Sequence, residues 1–157
     1  MAKYLRLVVL TVLVLVASAA WAGSAPGRAR GQTIYVPAYT HVYYTPQGKR
    51  FPLTTTLAVH NTDPDTAISI TSVRYYNAQG QMGQEYVTSP VTLGPFSALD
   101  LLVKKPDQSP GSGACFVVKW RAAKRVSPPI VECILIGATG QQGISFVTRG
   151  RVIAQTK

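Results

Sequence analysis

From Pro129 to Ile153 the chain reads PIVECILIGATGQQGISFVTRGRVI, the densest apolar run beyond its first 22 residues, then a glycine-spaced reversal and a second run. Ile130, Val131, Cys133, Ile134, Leu135 and Ile136 form an apolar stretch, mostly β-branched, about the length of one strand. Gly143 to Ile153 sets Ile144, Phe146 and Thr148 against Ser145, Val147 and Arg149, the alternation of an extended chain with two unlike faces. Between the two runs, Gly137, Gly140 and Gly143 supply the positive-φ positions that a reversal needs. The stretch predicts a buried hairpin against which the other strands pack.

The rest of the chain repeats this theme. Thr33 to Tyr44 places Tyr35, Pro37, Tyr39, His41 and Tyr43 on one face of an extended segment and Ile34, Val36, Ala38 and Val42 on the other. Pro37 has no N–H for a ladder, so this strand belongs at a sheet edge or is broken there. Phe51 to Asn61 turns Leu53, Leu57 and Val59 one way and Thr54, Thr56 and His60 the other. Ile68 and Ile70 start in one phase and Val73 and Tyr75 continue in the other, which predicts a β-bulge near Thr71 and Ser72. Runs over 81–88, 96–103 and 114–120 follow, and no amphipathic pattern of helical period occurs after residue 22. Eight short extended runs predict an all-β fold, a two-sheet antiparallel sandwich of the immunoglobulin or fibronectin kind with 7–8 strands. A small barrel would give a similar pattern.

The N-terminus has a different logic. Lys3 and Arg6 precede an apolar run from Leu7 to Val16, then small residues and Ala20-Trp21-Ala22, the pattern of a cleaved secretory signal. The apolar run is shorter than the roughly 20 residues of a spanning helix. The expected division is a signal peptide over 1–22, a disordered linker over 23–31 (GSAPGRARG) and one β-sandwich domain over 32–153, exported to the periplasm or secreted, with no stable membrane span after cleavage. Loss of Lys3 and Arg6 lowers the net charge from +10 to about +8, so the product is basic and steers towards acidic surfaces.

Few residues offer catalysis. Six acids and two histidines are present, with no G-x-S-x-G elbow, and the glycines at 137–143 lead into a strand where a phosphate-binding loop would lead into a helix. Asn61, Asp63 and Asp65 offer oxygens to Ca²⁺ but equally make an ordinary turn. His41, His60, Met82 and a cysteine suit copper by type, with no spacing to support it. No enzyme activity, metal or cofactor is expected. Cys115 and Cys133, the only two in an exported chain, are expected to pair if their strands are direct antiparallel neighbours with an even index sum; an odd sum would set Lys119 against Glu132. Strand direction places Lys49 and Arg50 with Lys104 and Lys105 at one pole, an anion-binding candidate. Arg121, Lys124, Arg125 and Arg151 gather at the other, near Asp63 and Asp65. Tyr35, Tyr39 and Tyr43 form a candidate aromatic face for sugars.

The segments LTTTLAVHNTD (53–63), ITSVRYYNAQG (70–80), PVTLGP (90–95), GSGACFVVKW (111–120) and IGATGQQGISFVTRGRVI (136–153) together resemble the bacterial domain-of-unknown-function family numbered 3124 over about 32–153. GQQGISF (140–146) is the most specific part. The resemblance implies an exported bacterial domain and no reaction. The sequence thus favours a non-enzymatic exported domain that binds another envelope protein, with no specific nucleic-acid recognition; the alternative is a module for an anionic or carbohydrate ligand.

Overall fold

The computed structural model describes residues 27–103, 112–140 and 142–156. The expected signal segment, residues 23–26 of the expected linker, Lys104, Lys105 and Asp107 lie outside the described residues. Among the described residues the chain is all β: β1 (Ala29–Tyr39), β2 (His41–Tyr43), β3 (Arg50–Pro52), β4 (Thr54–His60), β5 (Ile68–Tyr76), β6 (Met82–Val87), β7 (Val91–Leu93), β8 (Ala98–Leu102), β9 (Gly113–Val126), β10 (Ile130–Thr139), β11 (Gln142–Arg149) and β12 (Arg151–Thr156). One sheet runs β12-β1-β9-β5-β6, with β7 also on β5; a second runs β11-β10-β4-β8; β2 and β3 pair by themselves. Every pairing is antiparallel.

Period-2 alternation decides which faces are buried. On β9, Ala114, Phe116, Val118 and Trp120 point inward; on β1, Ile34, Val36 and Ala38 do; on β10, Val131, Cys133 and Leu135; on β4, Leu57 and Val59. These side chains join in one apolar cluster drawn from both larger sheets. Phe116 lies in it, with the rings of Tyr75 and Tyr86 edge-on at 5.3 and 5.8 Å. The phase slip in β5 is a bulge: Ile70 faces Trp120 and Ser72 faces Lys119, leaving Thr71 unmatched. The jump preserves burial, because Ile68 and Ile70 before it and Val73 and Tyr75 after it all reach the core.

Of the four strands beyond the eight expected runs, three come from breaks that split a run, and β7 lies in the 90–95 segment, outside all of them. Thr40 separates β1 from β2, Leu53 separates β3 from β4, the turn at 94–97 separates β7 from β8, and Gly150 separates β11 from β12. At Gly150 the chain changes sheets within one residue: Arg149 still faces Glu132 of β10, whereas Arg151 faces Tyr35 of β1. The Gly150 N–H donates to Val131 C=O at 2.8 Å, and a Cβ there would lie 2.6 Å from Ile34 Cγ2. Only glycine fits so close a passage. Pro37 agrees with its chemistry. The β12 partner ends at Tyr35, so Pro37 lies where one side of β1 has no strand, and its C=O accepts from the Thr148 hydroxyl.

Two expectations need correction. The linker does not extend to residue 31, because Ala29 is buried, Gly31 pairs with Thr156, and Arg28 bonds Asp63 and the Arg125 carbonyl. Of the three glycines around the β10–β11 reversal, only Gly140 has positive φ, at 59°. Thr139 faces Gln142, so the turn is tight and Gly137 and Gly143 lie within strands. Gly137 serves packing: a Cβ there would meet the Phe51 ring at 2.5 Å and Pro52 O at 2.7 Å.

Candidate functional site

The outward face of the four-stranded sheet follows from its register. Val147 faces Ile134, Ile134 faces Thr56, and Thr56 faces Leu102, so one row crosses all four strands, apolar but for Thr56. The next row down is Ser145, Ile136 and Thr54. The row above carries charge: Arg149, Glu132, Ala58 and Asp100. Beyond it lie Ile130, His60 and Ala98. Ile136 and Val147 are 53% and 51% exposed, and Leu102 and Ile130 are exposed as well. The sequence predicts Ile130, Ile134 and Ile136 as part of a buried hairpin because the run is apolar at every position but Glu132; only Val131, Cys133 and Leu135 face inward. The pairing of β10 with β4 exposes that difference, and a lone apolar run carries no sign of it.

The cysteines are free. Cys115 faces outward on β9, paired with Pro37 and Tyr76, whereas Cys133 is buried on β10 in the other sheet. The expected bridge fails at its premise, since residues 127–129 carry the chain from one sheet to the other and β9 and β10 are not neighbours. The alternative pairing of Lys119 with Glu132 fails for the same reason. Burial pushes the Cys133 thiol up to about 12, with the nearby Cys115 and Glu132 adding to that and a hydrogen bond with Thr148 opposing it. Such a thiol is inert at neutral pH.

The aromatic face divides. Tyr35 and Tyr39 share a face of β1, but the break at Thr40 puts Tyr43 on the separate β2–β3 hairpin. Tyr39 packs against Phe146 and is half-buried. His41, on the tyrosine face of the sequence, is 6% exposed, with its ring edge-on to Tyr43 at 5.0 Å. Of the first basic cluster, Lys49 and Arg50 are exposed, and the Lys49 ammonium lies 5.6 Å over the Tyr44 ring. Val103 N–H bonds Thr55 C=O, which places Val103 at the end of the sheet where β4 begins. Lys104 and Lys105 themselves lie outside the described residues. A cleft of about 420 Å³ opens at this end on Tyr39, Thr40, Leu53, Thr55, Val103 and Gly137, without a carboxylate or imidazole in its described lining.

At the opposite pole, Asn61 and Asp63 form a buried polar knot where the sequence suggested a plain turn. Asn61 Nδ2 donates to the carbonyls of Thr66, Leu93 and Gly94, and its Oδ1 accepts from Asp63 N–H. Asp63 has no exposed surface. Its Oδ1 accepts from Asp65 N–H; its Oδ2 accepts from Ser127 N–H at 3.0 Å and from Arg28 at 3.0 Å. The Ser127 N–H first, then the other donors and the Arg28 charge, hold the carboxyl below its ordinary range against the opposing pull of burial. These oxygens are committed to protein donors, so the knot is structural. Arg121 and Arg125 lie towards this end, but Arg151 does not: it faces Tyr35, level with Val117 midway along the sheet. Among the described residues no group of three or more His, Cys, Asp or Glu could hold a metal ion.

A family model described as a protein of unknown function (DUF3124) matches residues 31–153. No curated protein matches the chain. A solved structure, titled as that of Thermotoga maritima 1070, is 15% identical and covers 82% of this chain and 98% of its own, with a TM-score of 0.44.

Proposed function

The chain belongs to the DUF3124 family of proteins of unknown function, and from that premise we propose that it is an exported, non-enzymatic interaction domain that docks a protein of the bacterial envelope. The observation that carries this is the outward face of the four-stranded sheet, where Val147, Ile134 and Ile136 adjoin, Leu102 lies one strand further beyond Thr56, and Arg149, Glu132 and Asp100 border them on one side. Contiguous exposed aliphatics ringed by polar residues are what a docking surface requires, and scattered ones are not. In this reading the two larger sheets form a sandwich of the immunoglobulin or fibronectin kind, supported by their common apolar cluster. Export is included in the proposal. It rests on Lys3 and Arg6, the apolar run from Leu7 and the Ala20-Trp21-Ala22 motif.

The test is cross-linking capture from the envelope of the native host, comparing the parent with Ile136→Glu and Val147→Glu. Both sites are more than half exposed, so the variants should unfold at the parent temperature while the captured species disappears. Capture by both variants at the parent level would overturn the docking assignment. N-terminal sequencing of the native protein should begin at Gly23, and an intact Met1 would overturn export by cleavage.

A further inference from the structure

We infer that the β2–β3 hairpin is a binding site for an acidic saccharide, seated on the face that carries His41, Tyr43 and Arg50. The site is separate from the sheet face proposed for docking, so either assignment can fail alone. His41 faces Pro52 and Tyr43 faces Arg50, and direct partners in an antiparallel ladder share a face. That face therefore holds an aromatic ring, a guanidinium and an imidazole within one hairpin. Tyr43 is more than half exposed and Arg50 is exposed, so ring and guanidinium are both open to a ligand.

Two observations separate this face from an ordinary solvated rim. First, the charge is uncompensated among the described residues: residues 40–53 (THVYYTPQGKRFPL) contain no acid, and the two ion pairs among the described residues are Arg28–Asp63 and Arg74–Glu85. Second, His41 is buried, and only one of its nitrogens is used. Nδ1 lies 3.0 Å from the Thr40 hydroxyl, whereas Nε2 has no hydrogen-bond partner among the described residues. A buried ring nitrogen without a partner is costly, and a ligand hydroxyl would supply one. Burial first and the Arg50 charge second lower the His41 pKa, which keeps the imidazole neutral and able to bond a hydroxyl in either direction.

The three groups match three features of an acidic pyranose. Its C–H face stacks on Tyr43, its carboxylate or sulfate takes the Arg50 fork, and a ring hydroxyl meets His41 Nε2, which the ligand must uncover because that atom is buried in the free protein. A bare phosphate or a lipid headgroup would engage Arg50 and leave the ring and the imidazole unused. A neutral sugar would leave the guanidinium unused. The Lys49 ammonium is not part of this face: it lies over Tyr44, whose ring packs against Phe51 on the opposite side of the hairpin.

The experiment is calorimetric titration of the purified protein with a heparin-derived hexasaccharide and with a trigalacturonate. Maltohexaose, phosphatidylglycerol vesicles and an oligothymidylate serve as comparators. Saturable binding of at least one acidic saccharide is expected. Tyr43→Ala and Arg50→Gln should each weaken it by about fivefold or more, from the stacking and charge-assisted bonds removed. Tyr43→Phe and the double change Arg121→Gln with Lys124→Gln should stay within about twofold. Thermal unfolding of each variant shows that the fold is kept, and Arg50→Lys replaces Arg50→Gln if the latter does not fold. The inference is overturned by absence of saturable saccharide binding, by tighter binding of vesicles or oligonucleotide than of saccharide, or by loss in the Arg121/Lys124 variant equal to that at Arg50. Unchanged affinity of Tyr43→Ala overturns it as well.

Discussion

At the scale of single residues, Asp63 shows how a turn motif acquires a structural role. NTDPD reads as surface chemistry, because aspartate and asparagine favour turns and water. Burial arises because Arg28, Leu93, Gly94 and Ser127, all remote in sequence, meet at this point. Folded Asp63 releases its proton more readily than unfolded Asp63, whose ordinary value is 3.8. Its contribution to stability is therefore complete above that value and is lost as pH falls through the lower folded value. Asp63→Asn should melt at a lower temperature than the parent at pH 7, and the gap should narrow as pH drops below about 4. Parallel melting curves across that range would rule out the linkage. Phe96 makes a different case. It sits in a turn closed by Ser97 N–H to Gly94 C=O with φ at 56°, and it is 74% exposed. A left-handed conformation costs a non-glycine residue about 1–2 kcal/mol, and glycine's greater freedom when unfolded returns about 0.5–1 kcal/mol of that. Phe96→Gly should raise stability by about 0.5–1 kcal/mol in denaturant titration, and a fall would show that the ring makes contacts worth more than the strain.

At the scale of elements, legibility followed what a period-2 pattern encodes. It reports which face a residue takes, so the alternation of β4 and the bulge at Thr71 were readable, the latter as a change of phase between Ile70 and Val73. It does not report which sheet a strand joins. Gly150 leaves the alternation of 143–153 unbroken to the eye while moving the chain from β10 to β1, and residues 127–129 do the same between β9 and β10. The cysteine expectation failed on that blind spot, as did the expectation that β10 and β11 form a buried hairpin. Of the proposed sites, Arg50 and Tyr43 were visible as residue types, but their pairing on one hairpin face needed the break at Thr40. Gly137 gives a test of element packing. Its missing Cβ admits the Phe51 ring over β10, so Gly137→Ala should cost about 1–3 kcal/mol in chemical unfolding through overpacking. A cost below about 0.5 kcal/mol would mean that β3 shifts without penalty.

At the scale of the whole molecule, the common apolar cluster makes the two larger sheets one cooperative unit. Phe116 is fully buried between the Tyr75 and Tyr86 rings, and Phe116→Ala should cost about 3–5 kcal/mol. In the chain processed after Ala22, Trp120 is the one tryptophan, so its fluorescence reports on β9 while far-ultraviolet dichroism reports on all strands. The two transitions should coincide in the parent and in the variant; separated midpoints would mean that the sheets unfold independently. The pairing of β1 with β12 has a mechanical meaning too. Gly31 lies opposite Thr156, so the chain enters and leaves the fold side by side on neighbouring strands. Tension between those ends acts across the ladder rather than along it, and the rungs at Gly31, Gln32 and Thr33 separate in succession at low force. Peeling then meets Gly150, whose N–H is held by Val131 in the other sheet. A pull on both ends therefore opens this domain like a zipper from one edge, while the four-stranded sheet, holding neither end, stays out of the line of force.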